Sequence, residues 1–251
     1  MNKTKIEWVS GPNSKPGYSW NPVTGCLHGC DYCYAEKFTK RFGAHWKSTA
    51  SIELLDSPYM ENGVFIPYPY DFKPTFHKYR IDEPKEKKDS QNIFVCSMAD
   101  LFGDWVPKSW IECILNTIEV CPQHTFMLLT KNPIRYRHFN FPQNCWLGTT
   151  VTTQEEVERI IILNEVSRVH ENKTFVSFEP LHSFIDLTGV PYFDWTIVGV
   201  QTGISAKLTE PEWVQSIIGQ CRDVNIPLFI KDNVKWPMRI QEYPWQSSSR
   251  E

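Results

Sequence analysis

Ile93-Phe94-Val95-Cys96-Ser97-Met98, then Pro107 to Val120 (PKSWIECILNTIEV), then Thr125 to Thr130 (TFMLLT), is the stretch that decides the fold class. The two outer runs are short and largely apolar. The middle run repeats Trp110, Ile111, Ile114, Leu115 and Ile118 at helical spacing, and Pro107 suits an early helical position. A strand apolar on both faces, an amphipathic helix and another such strand form the repeating unit of a parallel sheet covered by helices.

Outward from this unit the alternation continues. Cys145 to Val151, Thr174 to Phe178, Thr196 to Val200 and Leu228 to Ile230 read as further strands. Gln154 to Val169 and Pro211 to Arg222 read as helices. The first carries Glu155, Glu156 and Glu158 in its opening turn, where the helix dipole favours anions. Asp31 to Phe42 reads as a helix stopped by Gly43. About six parallel strands predict an α/β fold that closes as a partial (β/α) barrel of the TIM type, with active residues at the C-terminal strand ends. Residues 53–92 break the pattern with Pro58, Pro67, Pro69, Pro74 and Pro84, and predict an irregular insertion beside the barrel mouth. The remainder reads as one domain over 1–245, followed by a disordered tail at 246–251.

The chain has 251 residues and a formal charge of −3, which excludes a nucleic-acid binder relying on a strong overall positive field. Hydrophobic residues at 41% and charged residues at 22% fit a globular protein. Ten tryptophans and ten tyrosines predict a crowded aromatic interior. No apolar run reaches membrane-spanning length and Met1 to Gly11 lacks an apolar signal region, so the expectation is a cytoplasmic protein with no membrane partner. In that reducing compartment the eight cysteines are thiols or metal ligands.

Three of them stand together in Gly25-Cys26-Leu27-His28-Gly29-Cys30-Asp31-Tyr32-Cys33-Tyr34. This C-x3-C-x2-C loop reaches three corners of one cubane and supplies no fourth ligand, leaving one iron of a [4Fe–4S] cluster open. Such an iron chelates S-adenosylmethionine (SAM) for reductive cleavage. Two other readings stay open. The thiolates with His28 or His45 would make a Cys3His zinc site in a nucleic-acid-binding protein without catalysis, or they would be ordinary buried thiols. Cys96, Cys113, Cys121, Cys145 and Cys221 stand singly and read as small buried hydrophobes.

Thr4-Lys5-Ile6-Glu7-Trp8, Trp20 to Cys26 (WNPVTGC) and Cys30 to Glu36 (CDYCYAE) resemble a family found in phages, prophages and bacteria. The resemblance runs on through Ile93 to Phe102, Leu129 to Pro133, Trp146 to Gly148, Phe178 to Pro180, Asp194 to Gly199 and Pro227 to Lys231. That family looks like a branch of the radical SAM superfamily, with spore photoproduct lyase as a distant relative. The resemblance implies an enzyme that takes an electron from a low-potential flavodoxin or ferredoxin-type donor. It further implies reductive cleavage of SAM and hydrogen abstraction from a nucleic acid or nucleotide substrate. The chain departs from the family at Gly199-Val200-Gln201-Thr202-Gly203, where a carboxylate is usual, and at Asp232-Asn233-Val234. The altered first run leaves room for an accessory protein that keeps the fold without activity.

Polar residues recur where the strands end, and SAM needs partners for its ribose, adenine and amino-acid groups. Ser97 and Asp100 are candidates for the amino acid or ribose, and Thr130 and Lys131 for the carboxylate, where an ammonium acts as a compact charge. Ser177 and Glu179 are candidates for the ribose hydroxyls. Gly199, Gly203 and the backbone at Tyr32 are candidates for adenine. His28 reads as a residue beside the cluster rather than a ligand. Arg135, Arg137 and His138 read as a solvated face, with phosphate contact the alternative.

Overall fold

A computed structural model describes residues 1–10, 15–43, 49–203 and 206–245; the expected tail at 246–251 and His45 lie outside them. The strands are β1 (Asn2–Lys3), β2 (Tyr18–Trp20), β3 (Val23–Thr24), β4 (Glu53–Leu55), β5 (Met60–Glu61), β6 (Val64–Phe65), β7 (Thr75–His77), β8 (Asn92–Val95), β9 (Thr125–Thr130), β10 (Cys145–Thr150), β11 (Lys173–Phe178), β12 (Trp195–Val198) and β13 (Leu228–Ile230). The helices are α1 (Tyr34–Phe42), α2 (Lys108–Glu119), α3 (Glu158–His170) and α4 (Pro211–Asp223).

The main sheet runs β1-β2-β8-β9-β10-β11-β12-β13. Every pairing from β2 to β13 is parallel, and β1 joins β2 antiparallel. The six strands expected from the sequence are β8 to β13; β8 stops at Val95, three residues short of the expected Met98, because Cys96 turns at φ +58°, and the others lie within about two residues of their predicted bounds. Side chains alternate between two apolar layers. Ile93, Val95, Phe126, Leu128, Leu147, Val176, Val198 and Leu228 face α2, α3 and α4. Phe94, Met127, Phe175, Trp195, Ile197 and Phe229 face the other way and are covered by Trp8, Val9, Tyr243 and Trp245 from the two ends of the chain. Trp195 is the hub of that second layer. Its ring lies 6.2 Å from Trp8, 5.8 Å from Tyr243 and 5.4 Å from Trp245, and its Nε1–H donates to Glu242 O at 2.8 Å. The aromatic interior predicted from composition is this layer.

The sheet curls without closing through a hydrogen-bonded ladder between β1 and β13. Lys3 pairs with Tyr18 at one edge, while Glu7 accepts a hydrogen bond from Asp232 N, just past β13 at the other, at 2.8 Å. Four residues reach at most about 14 Å, whereas eight strands laid flat would set their edges about 34 Å apart. The segment from Thr4 to Val9 therefore straps one edge to the other across the aromatic layer.

Three expectations need correction. The predicted helix from Asp31 begins at Tyr34, because Asp31 and Tyr32 form a turn and Cys33 is the N-cap. The start of the Gln154 helix is a 3-10 turn, Gln154–Glu156, ahead of α3. Residues 53–92 are not wholly irregular: β7 pairs with β3 and β4, and β5–β6 is a hairpin turning at Asn62-Gly63, both at positive φ. No helix among the described residues is long and apolar enough to cross a membrane.

His77 of β7 is fully buried, with Nε2 2.8 Å from Thr24 Oγ1 and Nδ1 3.3 Å from the Tyr79 hydroxyl. Burial, reinforced by the Arg80 charge, lowers its pKa to about 2. An unfolded chain protonates this ring near pH 6.5, so below that pH the folded state binds fewer protons. The stability His77 contributes is complete above about pH 6.5 and is lost below it, by about 1.4 kcal/mol per pH unit. Urea midpoints measured between about pH 7 and pH 5 should fall more steeply for the wild type than for His77→Gln.

Candidate functional site

The cysteine loop leaves β3 through Gly25, whose φ of +85° few side chains tolerate. Its N–H donates to Met98 O at 2.9 Å, and Cys26 N–H donates to Phe72 O at 3.1 Å. The loop is thus pinned between the end of β8 and the 72–73 segment. Gly29 turns it at φ +66°, and Cys33 N–H donates to Cys30 O at 3.1 Å, closing the last turn. Cys33 Sγ then accepts from Glu36 N at 3.4 Å and caps α1.

All three cysteines line one cavity of about 660 Å³, and so do residues at or just past the ends of six successive parallel strands. β8 brings Ser97 and Asp100, β9 Thr130 and Lys131, β10 Thr150, β11 Ser177 and Glu179, β12 Gln201, and β13 Lys231. Tyr32 lines it from within the loop; Ile6, Trp8, Phe72, Phe94 and Leu129 make its apolar wall. The two glycines expected there are absent from the lining. Gly199 lies behind Glu179, whose carboxylate carbon would stand 2.8 Å from an added Cβ, so its missing side chain makes room for that acid. Gly203 has φ +114° and nothing within 4 Å of a Cβ position.

Asp100 is the hub of the polar wall. One carboxylate oxygen accepts from Thr130 Oγ1 at 2.7 Å and Phe102 N at 3.0 Å; the other accepts from Lys131 N at 2.9 Å and lies 2.8 Å from His28 Nε2. It joins the cysteine loop to the end of β9. Lys131 Nζ reaches the Tyr32 hydroxyl at 2.6 Å, and burial lowers its pKa, opposed by the nearby Cys30 charge. Tyr32 also meets the His182 ring edge-on at 5.2 Å, and His182 Nε2 lies 3.0 Å from Gln201 Oε1. Glu179 pairs with Lys231. Ser97 Oγ donates to Asn21 Oδ1 at 3.2 Å, and Met98 N donates to the same oxygen at 3.1 Å.

Sequence reasoning assigned no role to Asn21, Tyr34, Lys231 or the Thr4–Trp8 strap, although all of them lie in short stretches that carry the family resemblance. Arg135 lies apart from the cavity: its guanidinium donates to the Gly103 and Val106 carbonyls, and Arg137 pairs with Glu165. Cys121, Cys145 and Cys221 are buried and Cys113 is half-buried, all away from the cavity, whereas Cys96 lines it.

A metal group needs thiolates, and burial opposes them here, pushing the Cys26 thiol up to about 12 and raising Cys33 as well. A cationic cofactor would reverse that cost. Among the described residues no three His, Cys, Asp or Glu side chains converge on one ion. Three thiolates on one loop are a donor set that suits a cubane, each thiolate binding a separate iron.

Three solved structures of spore photoproduct lyase are similar to the chain. One is a point mutant with dinucleoside spore photoproduct (11% identity, TM-score 0.42, 68% of this chain and 47% of that one). Another is a double mutant with bound AdoMet and the same product (12%, TM-score 0.43, 86% and 64%). The third is a complex with dinucleoside spore photoproduct (11%, TM-score 0.42, 84% and 62%). The chain thus spans less than two thirds of each of those proteins. No curated protein matches it. The family described as "Protein of unknown function (DUF5131)" matches residues 3–248, and the chain belongs to that family.

Proposed function

We infer that the chain is a radical SAM enzyme built as a partial barrel over residues 1–245. Cys26, Cys30 and Cys33 hold a [4Fe–4S] cluster, and its fourth iron is left for SAM. The observation that carries this reading is the meeting of a three-cysteine loop with six consecutive strand ends on one cavity of about 660 Å³. That size lies within the range of cofactor and ligand sites.

When bound, the cluster and SAM together supply an electron and a carbon-centred radical that takes hydrogen from a substrate. The chain does the rest. Lys131, steered by the Tyr32 hydroxyl, meets the SAM carboxylate, and Thr130, whose hydroxyl proton goes to Asp100, lines the cavity beside it. Ser97, Ser177 and Glu179 face the ribose and amino-acid hydrogen-bonding groups. Lys231 holds the Glu179 carboxylate in place. Asp100, with both oxygens already accepting, acts through the residues it positions. The backbone at Tyr32 flanks adenine, and Gly199 leaves room for Glu179. The apolar wall of Trp8, Phe72 and Phe94 excludes water from the reacting centre. A low-potential flavodoxin or ferredoxin-type protein supplies the electron, and the substrate is a nucleic acid or nucleotide, the class the sequence resemblance implies.

Anaerobic purification with iron and sulfide analysis, a visible spectrum and a SAM-binding titration tests this. The expected result is about four irons per chain and saturable SAM binding. Stoichiometric zinc with negligible iron, or a cluster that ignores SAM, would overturn it.

A further inference from the structure

Helix α1 is amphipathic in the wrong sense. Its inward positions are the small Ala35 and Thr39, 5% and 0% exposed, while Tyr34, Phe38 and Phe42 are 60%, 46% and 47% exposed. Burial of large apolar side chains is what normally orients a helix on its domain. A contiguous row of them left in solvent marks a binding surface. Their i, i+4, i+8 spacing sets each ring about 6 Å beyond the last. Phe38 touches Phe42 at 4.6 Å and meets Tyr68 edge-on at 5.9 Å, contacts that steady the rings.

The charges beside the row share one sign. Glu36 is neutralised by Lys40 at 2.7 Å. Lys37 and Arg41, each one residue ahead of a phenylalanine, are exposed and form no ion pair among the described residues; Arg41 lies over the Phe42 ring at 5.3 Å. Rings in a row with free cations alongside match base stacking combined with phosphate neutralisation, the chemistry of single-strand binding. The row also begins at the cavity. Tyr34 lines it, its hydroxyl donates to Ser97 O at 2.5 Å, and the residue before it is the cluster-loop Cys33.

We propose that the outer face of α1 binds a single-stranded nucleic acid, with bases stacked on Phe38 and Phe42 and phosphates at Lys37 and Arg41, and leads it to the cavity. This deepens the proposed function and rests on it only for what happens to the strand at the cavity. The binding itself is measurable without turnover.

The test is fluorescence anisotropy of a labelled single-stranded oligothymidine of about 16 nucleotides, the upper range for one such site, with the full chain purified anaerobically. Phe38→Ala and Phe42→Ala should each weaken binding by about tenfold, and Phe38→Trp should retain it. Lys37→Glu with Arg41→Glu should flatten the slope of log K against log salt by about 0.7 for each phosphate no longer neutralised. These side chains are exposed, so urea midpoints and iron content should match the wild type. The proposal is overturned if the wild type ignores the oligonucleotide, if the phenylalanine variants bind it equally well, or if a duplex binds more tightly. An acidic flavodoxin that docks through these residues while the oligonucleotide does not bind would also overturn it. Loss of SAM binding with oligonucleotide binding intact defeats the cluster reading and leaves this one standing; the converse does the reverse.

Discussion

Cys30→Ala should leave the anaerobically purified chain with at least about tenfold less iron than the wild type, because two thiolates cannot retain a cubane that already lacks its fourth. Cys26→Ala and Cys33→Ala should do the same. The measurement is iron and sulfide per chain with the visible spectrum of the reconstituted protein. Cys113→Ala and Cys221→Ala supply the contrast and should keep the full complement. Cys221 is a buried residue of α4 with its sulfur 3.2 Å from Thr196 Oγ1, and Cys113 sits on α2, both outside the cavity. A full cluster in Cys33→Ala would show that the loop had been given the wrong ligand set. SAM binding should fall with iron in each loop variant, since the proposed function has the cofactor held at the open iron.

Much of this architecture was legible because parallel strands buried on both faces are near-continuous apolar runs. Thr125–Thr130 and Leu228–Ile230 have the bounds their composition predicts. β2 was not legible. Tyr18-Ser19-Trp20 is three residues long, lies between Gly17 and Pro22, and buries only Trp20 fully, so local pattern reads it as loop. Its place in the sheet comes from pairing with β8, a contact 75 residues away along Tyr18↔Ile93. The site divides in the same way. Residues at or just past the end of a visible strand, such as Ser97, Thr130, Lys131, Ser177 and Glu179, could be placed at the cavity from the strand pattern alone. Lys231, the partner of Glu179, follows the shortest of those strands, and the Thr4–Trp8 strap has no periodicity to read. Only tertiary closure brings the strap across the aromatic layer. Asp100 was recognisable as a strand-end acid, but the four contacts around its oxygens depend on three separate elements meeting.

Gly25→Ala should cost the fold about 3 kcal/mol and much of its cluster with every cysteine intact, because two independent penalties coincide there. The left-handed φ of +85° disfavours any L side chain, and an added Cβ would stand 2.2 Å from Lys73 O and 2.6 Å from Phe72 O. Neither carbonyl is free to retreat. Phe72 O accepts Cys26 N–H at 3.1 Å, and Lys73 O accepts the Thr75 hydroxyl at 2.9 Å, so yielding space would break the hydrogen bond that sets the first ligand. Gly29→Ala is the control within the same loop. Its φ of +66° is also left-handed, but nothing lies within 4 Å of its Cβ position, and the expected cost is only about 1 kcal/mol. Urea denaturation of the two variants, with iron content measured alongside, separates the effects. Equal losses in both would mean that the 72–73 segment does not brace the loop, whereas a loss confined to Gly25→Ala would make residues outside the cysteine motif part of what holds the cluster.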